Sequence, residues 1–202
     1  MTAARPTVRL LVCGAAERGD DGAALVAVAT LLPILPPALL GVLEIRRCGQ
    51  LQVDDLVDVP HDMAAIVLDA AVGIAPGTVA VVPLESLGSR TDGPAPHSSH
   101  ALPVQQVVAI AAAIRGRLPV GSFVGIGGRR FSFGEVLSRP VRAGLPAFRE
   151  AIGQEIERLA AVVATPSGAT AAGVTAGAGR MAPDVGPGRP HPRCAATGTL
   201  EA

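Results

Sequence analysis

The sequence has no lysine, no tryptophan and no tyrosine, and four phenylalanines are its only members of the large aromatic class. Unpaired bases bind by stacking on such rings, so single-stranded DNA and RNA are disfavoured as ligands. Concentrated positive charge is missing too. All 17 basic residues are arginines, 17 acidic residues offset them, and the longest basic runs are the pairs Arg46-Arg47 and Arg129-Arg130. Neutralising a phosphate backbone needs denser charge than this, and no nucleic-acid partner is expected. Cysteine is scarce: Cys13, Cys48 and Cys194 are odd in number, far apart and never in a CxxC pair. Neither a disulfide framework nor a thiolate zinc site follows, and a reducing cytoplasm fits best. Long apolar runs are also lacking. Val8 to Cys13 is too short for a signal core or a membrane span, and the Leu31 to Leu43 stretch is broken by Pro33, Pro36 and Pro37. No membrane partner is expected.

What the 202 residues do contain is a 49% apolar composition, enough for one full core. Val8 to Cys13 reads as a first strand that ends at a glycine, as a buried parallel strand does. A helix follows behind Asp20 and Asp21, with Leu25, Val28 and Leu32 at helical spacing, and the three prolines stop it. Val42 to Arg47 reads as a second strand, Leu51 to Val57 as a short helix, and Ala64 to Leu68 as a third strand ending at Asp69. Pro76-Gly77 marks a turn into a strand over Thr78 to Pro83. The link is too short for a helical crossover, so this strand should run antiparallel to the third and flank the parallel core. Pro103 opens a helix with Val104, Val107, Val108, Ala111 and Ile114 on one face, and Gly121 to Ile126 forms the last strand. Ser138 and Pro140 open a helical segment that Pro146 restarts, with Phe148, Ile152, Ile156 and Leu159 as its docking stripe. Alternating strands and helices predict a three-layer α/β/α sandwich over residues 1–160. In residues 161–202, 23 of 42 positions are Gly, Ala or Pro with no periodic stripe, and this tail is expected to be disordered.

Ligands of open α/β sheets collect outside the carboxyl ends of the parallel strands. Asp21, across the Gly14 to Asp20 loop from the first strand, and Asp69, at the end of the third, both stand there; they face one crevice if the two strands are neighbours. By position alone they could equally cap a helix and end a strand. His100 lies in a loop ahead of the Pro103 helix, where a histidine is more often simply solvated. An Asp, Asp, His set would suit zinc, nickel or another borderline divalent ion with a position left open. The spacing Gly14-x4-Gly19 copies a phosphate-binding loop, but Asp20-Asp21 replace its Lys-Ser/Thr and would repel phosphate, so no nucleotide is expected. A G-x-S-x-G elbow and an H-E-x-x-H helix are both missing. Cys13 and Cys48 read as core packing rather than as nucleophiles.

Gly14-Ala15-Ala16-Glu17-Arg18-Gly19-Asp20-Asp21-Gly22 resembles the G-N-P-x-R-G-D-D-G signature of the [NiFe]-hydrogenase maturation endopeptidases, peptidase family M52. Matching pieces follow in order: Gly49, Leu68-Asp69-Ala70 with Pro76-Gly77, Ser98-Ser99-His100, Val124-Gly125-Ile126-Gly127 and Leu137-Ser138. The resemblance implies a twisted five-stranded mixed sheet with one antiparallel strand. It also implies removal of a C-terminal extension from the hydrogenase large-subunit precursor once nickel is inserted. Asp21, Asp69 and His100 would then be the catalytic and metal-contacting set, with nickel delivered inside the substrate, and Gly19 and Gly49 would let an extended peptide approach the backbone. Whether Asp21 serves as ligand, base or both stays open. Ala15-Ala16 stand where the signature has Asn-Pro, and Ala24 stands where glycine is frequent. A non-catalytic paralogue that binds the precursor as an assembly factor is therefore a second reading, and an unrelated α/β small-molecule-binding domain is a third.

Overall fold

The computed structural model describes residues 5–88 and 102–165. Its elements are β1 (Val8–Cys13), α1 (Ala23–Leu31), α2 (Pro37–Leu40), β2 (Leu43–Gly49), α3 (Val53–Val57), β3 (Ala64–Ala71), β4 (Val79–Pro83), α4 (Leu84–Gly88), α5 (Val104–Arg115), β5 (Gly121–Gly127) and α6 (Arg139–Ala164). The five strands form one sheet in the order β2-β1-β3-β5-β4, with β4 alone antiparallel. The three-layer sandwich with a mixed five-stranded sheet expected from the sequence is the fold observed.

Period-two alternation sorts the strand side chains into two cores. Val8, Leu10 and Val12 of β1, with Ala64, Ile66 and Leu68 of β3 and Val124 and Ile126 of β5, pack under α1 and α6. Leu11, Cys13, Ala65, Val67 and Phe123 face the other way, under α3, α4 and α5. Both faces of β1 and β3 are thus covered, which accounts for their near-continuous apolar runs. The exception is Arg9 in β1, which is buried. Its guanidinium donates to the Asp58 carbonyl at 3.0 Å and to Glu44 Oε2, its register partner on β2, at 3.0 Å. Arg115, at the end of α5, donates to the carbonyls of Leu56, Val57 and Val59 and so ties α5 to the exit from α3.

Several local expectations need correction. β4 runs antiparallel as expected and lies at an edge, but it pairs with β5 rather than with β3, because the parallel partner of β3 takes the place between them. The inner face of α1 is Ala23, Ala24, Ala27, Val28 and Leu31, whereas Leu25 and Leu32 are only partly buried. Small alanines fill the centre of the contact, and Leu25 and Leu32 pack against the margin of the same core. Ile114 is 63% exposed at the last turn of α5. Pro146 does not divide the last helix: α6 runs unbroken from Arg139, because Phe148, Ile152, Ile156 and Leu159 are all fully buried and hold both halves on the sheet. α6 reaches Ala164, four residues into the segment assigned to the tail, and the remainder of that segment beyond 165 lies outside the described residues. Among the described residues no helix is long and apolar enough to cross a membrane.

Candidate active site

β1 and β3 are direct neighbours, with Val8 opposite Ala64 and Val12 opposite Leu68, so the loops leaving their carboxyl ends open onto one crevice. The chain leaves β1 through Gly14, whose φ of +106° lies in the region that favours glycine. A Cβ there would stand 1.9 Å from the Asp21 carbonyl oxygen. The loop can therefore close tightly over the strand end, and the Asp21 carboxylate turns back to accept the Ala15 N–H on Oδ2 at 2.8 Å.

Asp69 sits near the end of β3, opposite Gly125 of β5 and half-buried. Its Oδ1 accepts the Ala70 N–H at 2.8 Å. Burial pushes its carboxyl up to about 7, against the pull of that N–H and with further help from the negative charge of Asp21. The charge of one aspartate singled out from the sequence thus reaches the carboxyl of the other. His100 lies outside the described residues. Among the described residues only Oδ2 of Asp21 and Oδ1 of Asp69 accept a hydrogen bond, and a cation at the other oxygens would relieve both burial and mutual repulsion, which is how such a pair would hold a divalent ion. Among the described residues no group of three His, Cys, Asp or Glu is placed to hold a metal.

Asp20, read from the sequence only as a charge at a helix N-terminus, is the residue that builds the loop. It is fully buried. Oδ2 accepts the N–H groups of Arg129 at 2.9 Å and Arg130 at 3.0 Å, and Oδ1 accepts that of Ser138 at 2.6 Å. Burial opposes its ionisation, but these three N–H groups prevail and hold its carboxyl below the usual carboxylate range. The Asp20 N–H in turn donates to the Arg130 carbonyl at 2.8 Å. The β1 loop and the loop after β5 are thereby stitched into one wall of the crevice. No local pattern could have revealed this, since every partner is more than a hundred positions away.

The two glycines expected to admit a peptide differ. Gly49 is exposed at φ +49°, with nothing within 4 Å of where a Cβ would be, and its carbonyl accepts the Gly14 N–H at 2.6 Å. Gly19 is buried instead: a Cβ there would meet the Arg130 carbonyl at 2.8 Å, and its N–H donates to the Glu135 carbonyl. It joins loops rather than offering backbone to a ligand. Around the same sheet end, the loops after β3 and β5 expose Val72, Phe133 and Val136, with Phe133 at 80%. An open groove of about 870 Å³ lies at the opposite end of β5, beside Gly121 and Ser122. Four charged residues line it: Glu155 and Arg158, which pair at 2.7 Å, and Glu85 and Arg117.

No protein-family model and no curated protein sequence matches the chain. Solved structures do. The [NiFe] hydrogenase maturation protease HycI from Thermococcus kodakarensis KOD1 superposes with a TM-score of 0.54 at 19% identity, over 75% of this chain and 92% of that one. The hydrogenase maturating endopeptidase HybD from E. coli gives 0.54 at 21% identity, over 72% and 89%. HybD from Thermococcus kodakarensis gives 0.52 at 20% identity, over 73% and 97%. At these identities the likeness is one of architecture, and the chain has the α/β fold of the hydrogenase maturation proteases.

Proposed function

We propose that this protein is the endopeptidase that removes the C-terminal extension of a [NiFe]-hydrogenase large-subunit precursor after nickel has been inserted. The observation that carries the reading is the Asp21–Asp69 pair at the mouth of β1 and β3, on a fold shared with proteases of that kind. In the proposed reaction the nickel arrives as part of the substrate, held by the precursor's own cysteines. Asp21, Asp69 and His100 would meet it, so that cleavage waits on metal loading. Asp69 shares its site with a second carboxylate and exchanges its proton near neutrality. Approach of a cation favours the ionised pair and drives that proton off, leaving a carboxylate to accept a proton from the attacking water and return it to the departing amine. The open backbone at Gly49 and the exposed Val72, Phe133 and Val136 supply an edge and an apolar rim for an extended peptide.

The assembly-factor reading rests on Ala15-Ala16 in place of Asn-Pro and on Ala24 in place of a glycine. The loop does not depend on Asn-Pro for its order: Asp20 binds it to the β5 loop, and Ala15 still supplies its N–H to Asp21. Purified protein mixed with a nickel-loaded precursor should shorten it, as read by intact mass spectrometry, and should leave the nickel-free precursor untouched. Asp21→Ala, Asp69→Asn and His100→Ala should each abolish shortening. Stable co-purification without shortening would favour the assembly factor, and neither binding nor shortening would overturn both.

A further inference from the structure

Cys13 and Cys48 end neighbouring parallel strands, and both side chains belong to the apolar cluster under α3 to α5. The β1–β2 register breaks at this point. Val12 is opposite Arg47 while Cys13 is opposite Gly49, so Cys48 is the extra residue of a bulge and is set beside Cys13. Paired strands lie about 4.8 Å apart. An offset of less than one residue keeps the two Cα atoms about 5–6 Å apart, within the range a disulfide spans. Each thiol donates only weakly within its own strand, Cys13 to the Leu11 carbonyl and Cys48 to the Arg46 carbonyl, both at 3.9 Å. Their exposure differs: Cys13 is buried and Cys48 only half-buried.

We propose that Cys13 and Cys48 are an oxidisable pair that closes into an intramolecular disulfide beneath the Asp21–Asp69 crevice. The oxidant is a low-molecular-weight disulfide. Cys48, the accessible member, gives up its proton and attacks one sulfur; a mixed disulfide forms and half of the oxidant leaves as a thiolate, which takes up a proton. Cys13 then loses its proton and attacks the Cys48 sulfur. The mixed bond breaks, the second half leaves as a thiol, and the Cys13–Cys48 bond remains. The pair has lost two electrons and two protons, and the small disulfide has gained them. The neighbouring Cys13 thiol and Arg46 favour the Cys48 thiolate against burial and Asp55, whereas Cys48, burial and Asp69 hold Cys13 as the thiol, so Cys48 is the member that attacks first. The bond would fix together the two strand ends already joined by the Gly14–Gly49 hydrogen bond.

The test is oxidation of the full chain by glutathione disulfide, followed by intact mass and peptide mapping. The expected product weighs two hydrogens less than the reduced protein, carries a Cys13–Cys48 link, leaves Cys194 open to alkylation, and reverts with dithiothreitol. Cys194→Ser should form the same link and melt at a higher temperature oxidised than reduced. Cys13→Ala should stop at a glutathione adduct on Cys48. A Cys48–Cys194 link, a lasting glutathione adduct in the wild type, or free alkylation of Cys13 after oxidation would overturn the proposal. The Cys194→Ser map decides the matter even if Cys13→Ala does not fold.

Discussion

The Ser138 N–H donates to Oδ1 of Asp20 at 2.6 Å, across 118 positions of sequence, at the point where α6 begins and the β1 loop ends. With the Arg129 and Arg130 N–H groups, this bond makes one buried carboxylate the junction of two loops. Its neighbour Asp21 is thereby held over the crevice with only its Oδ2, which accepts the Ala15 N–H, engaged among the described residues.

Asp20→Ala leaves three N–H donors without their acceptor in a buried place and should cost about 2–4 kcal/mol in urea unfolding. Asp20→Asn should cost less, since one amide oxygen still accepts. The pH dependence follows from a folded-state value held below the ordinary one. The stabilisation from Asp20 is complete above about pH 4 and is lost as pH falls through the folded-state value. Wild type should therefore weaken more steeply on acidification than Asp20→Asn, and parallel slopes would refute the clamp.

Gly14→Ala should be more damaging than a strand-end alanine usually is. The methyl would meet the Asp21 backbone at 1.9 Å in a left-handed conformation, so either the turn or the Asp21 loop must move. A loss of about 2–4 kcal/mol should accompany loss of precursor processing, measured by denaturant titration and by mass spectrometry on the same preparation. A variant with normal stability and normal processing would show that the loop does not need this closure.

Much of this architecture was legible in local pattern, and the exceptions share a cause. β1 and β3 declared themselves as apolar runs because both faces are covered, and Asp69 stood out because such a run ended on a carboxylate. That these strands are neighbours, which brings Asp21 and Asp69 together, was only a condition in the sequence and is a fact of the sheet order. Asp20 and the Cys13–Cys48 pair were read as a helix charge and as core packing, because their partners come from distant segments and from a one-residue bulge. α1 misled in a different way: alanines carry little weight in a hydrophobic stripe, yet their small size sets how closely a helix packs.

Phe133→Ser should separate substrate docking from chemistry. The ring is 80% exposed, so its removal should change stability by less than about 0.5 kcal/mol. If the apolar rim holds the peptide, KM for the nickel-loaded precursor should rise several-fold while kcat stays near wild type. Unchanged KM would place the peptide elsewhere.

Asp69 offers the sharpest separation of function from stability. Its folded-state value of about 7 lies above the ordinary carboxylate value near 4, so the folded protein holds a proton that the unfolded chain has released between those limits. The stability tied to the neutral carboxyl is complete below about pH 4 and is lost as pH rises through 7. Asp69→Asn removes that loss. At about pH 8 the variant should be more stable than wild type by about 1–3 kcal/mol, allowing for partial solvent screening of the full shift, and the two should converge toward about pH 4. Processing should be absent at every pH. Asp21→Asn should shift the Asp69 titration downward in carboxyl-detected NMR, because it removes the neighbouring charge. A residue that merely ended a strand would show neither a stability gain on neutralisation nor a titration that follows Asp21. The cost of keeping two carboxylates together is what would be expected of groups retained for a cation to bridge.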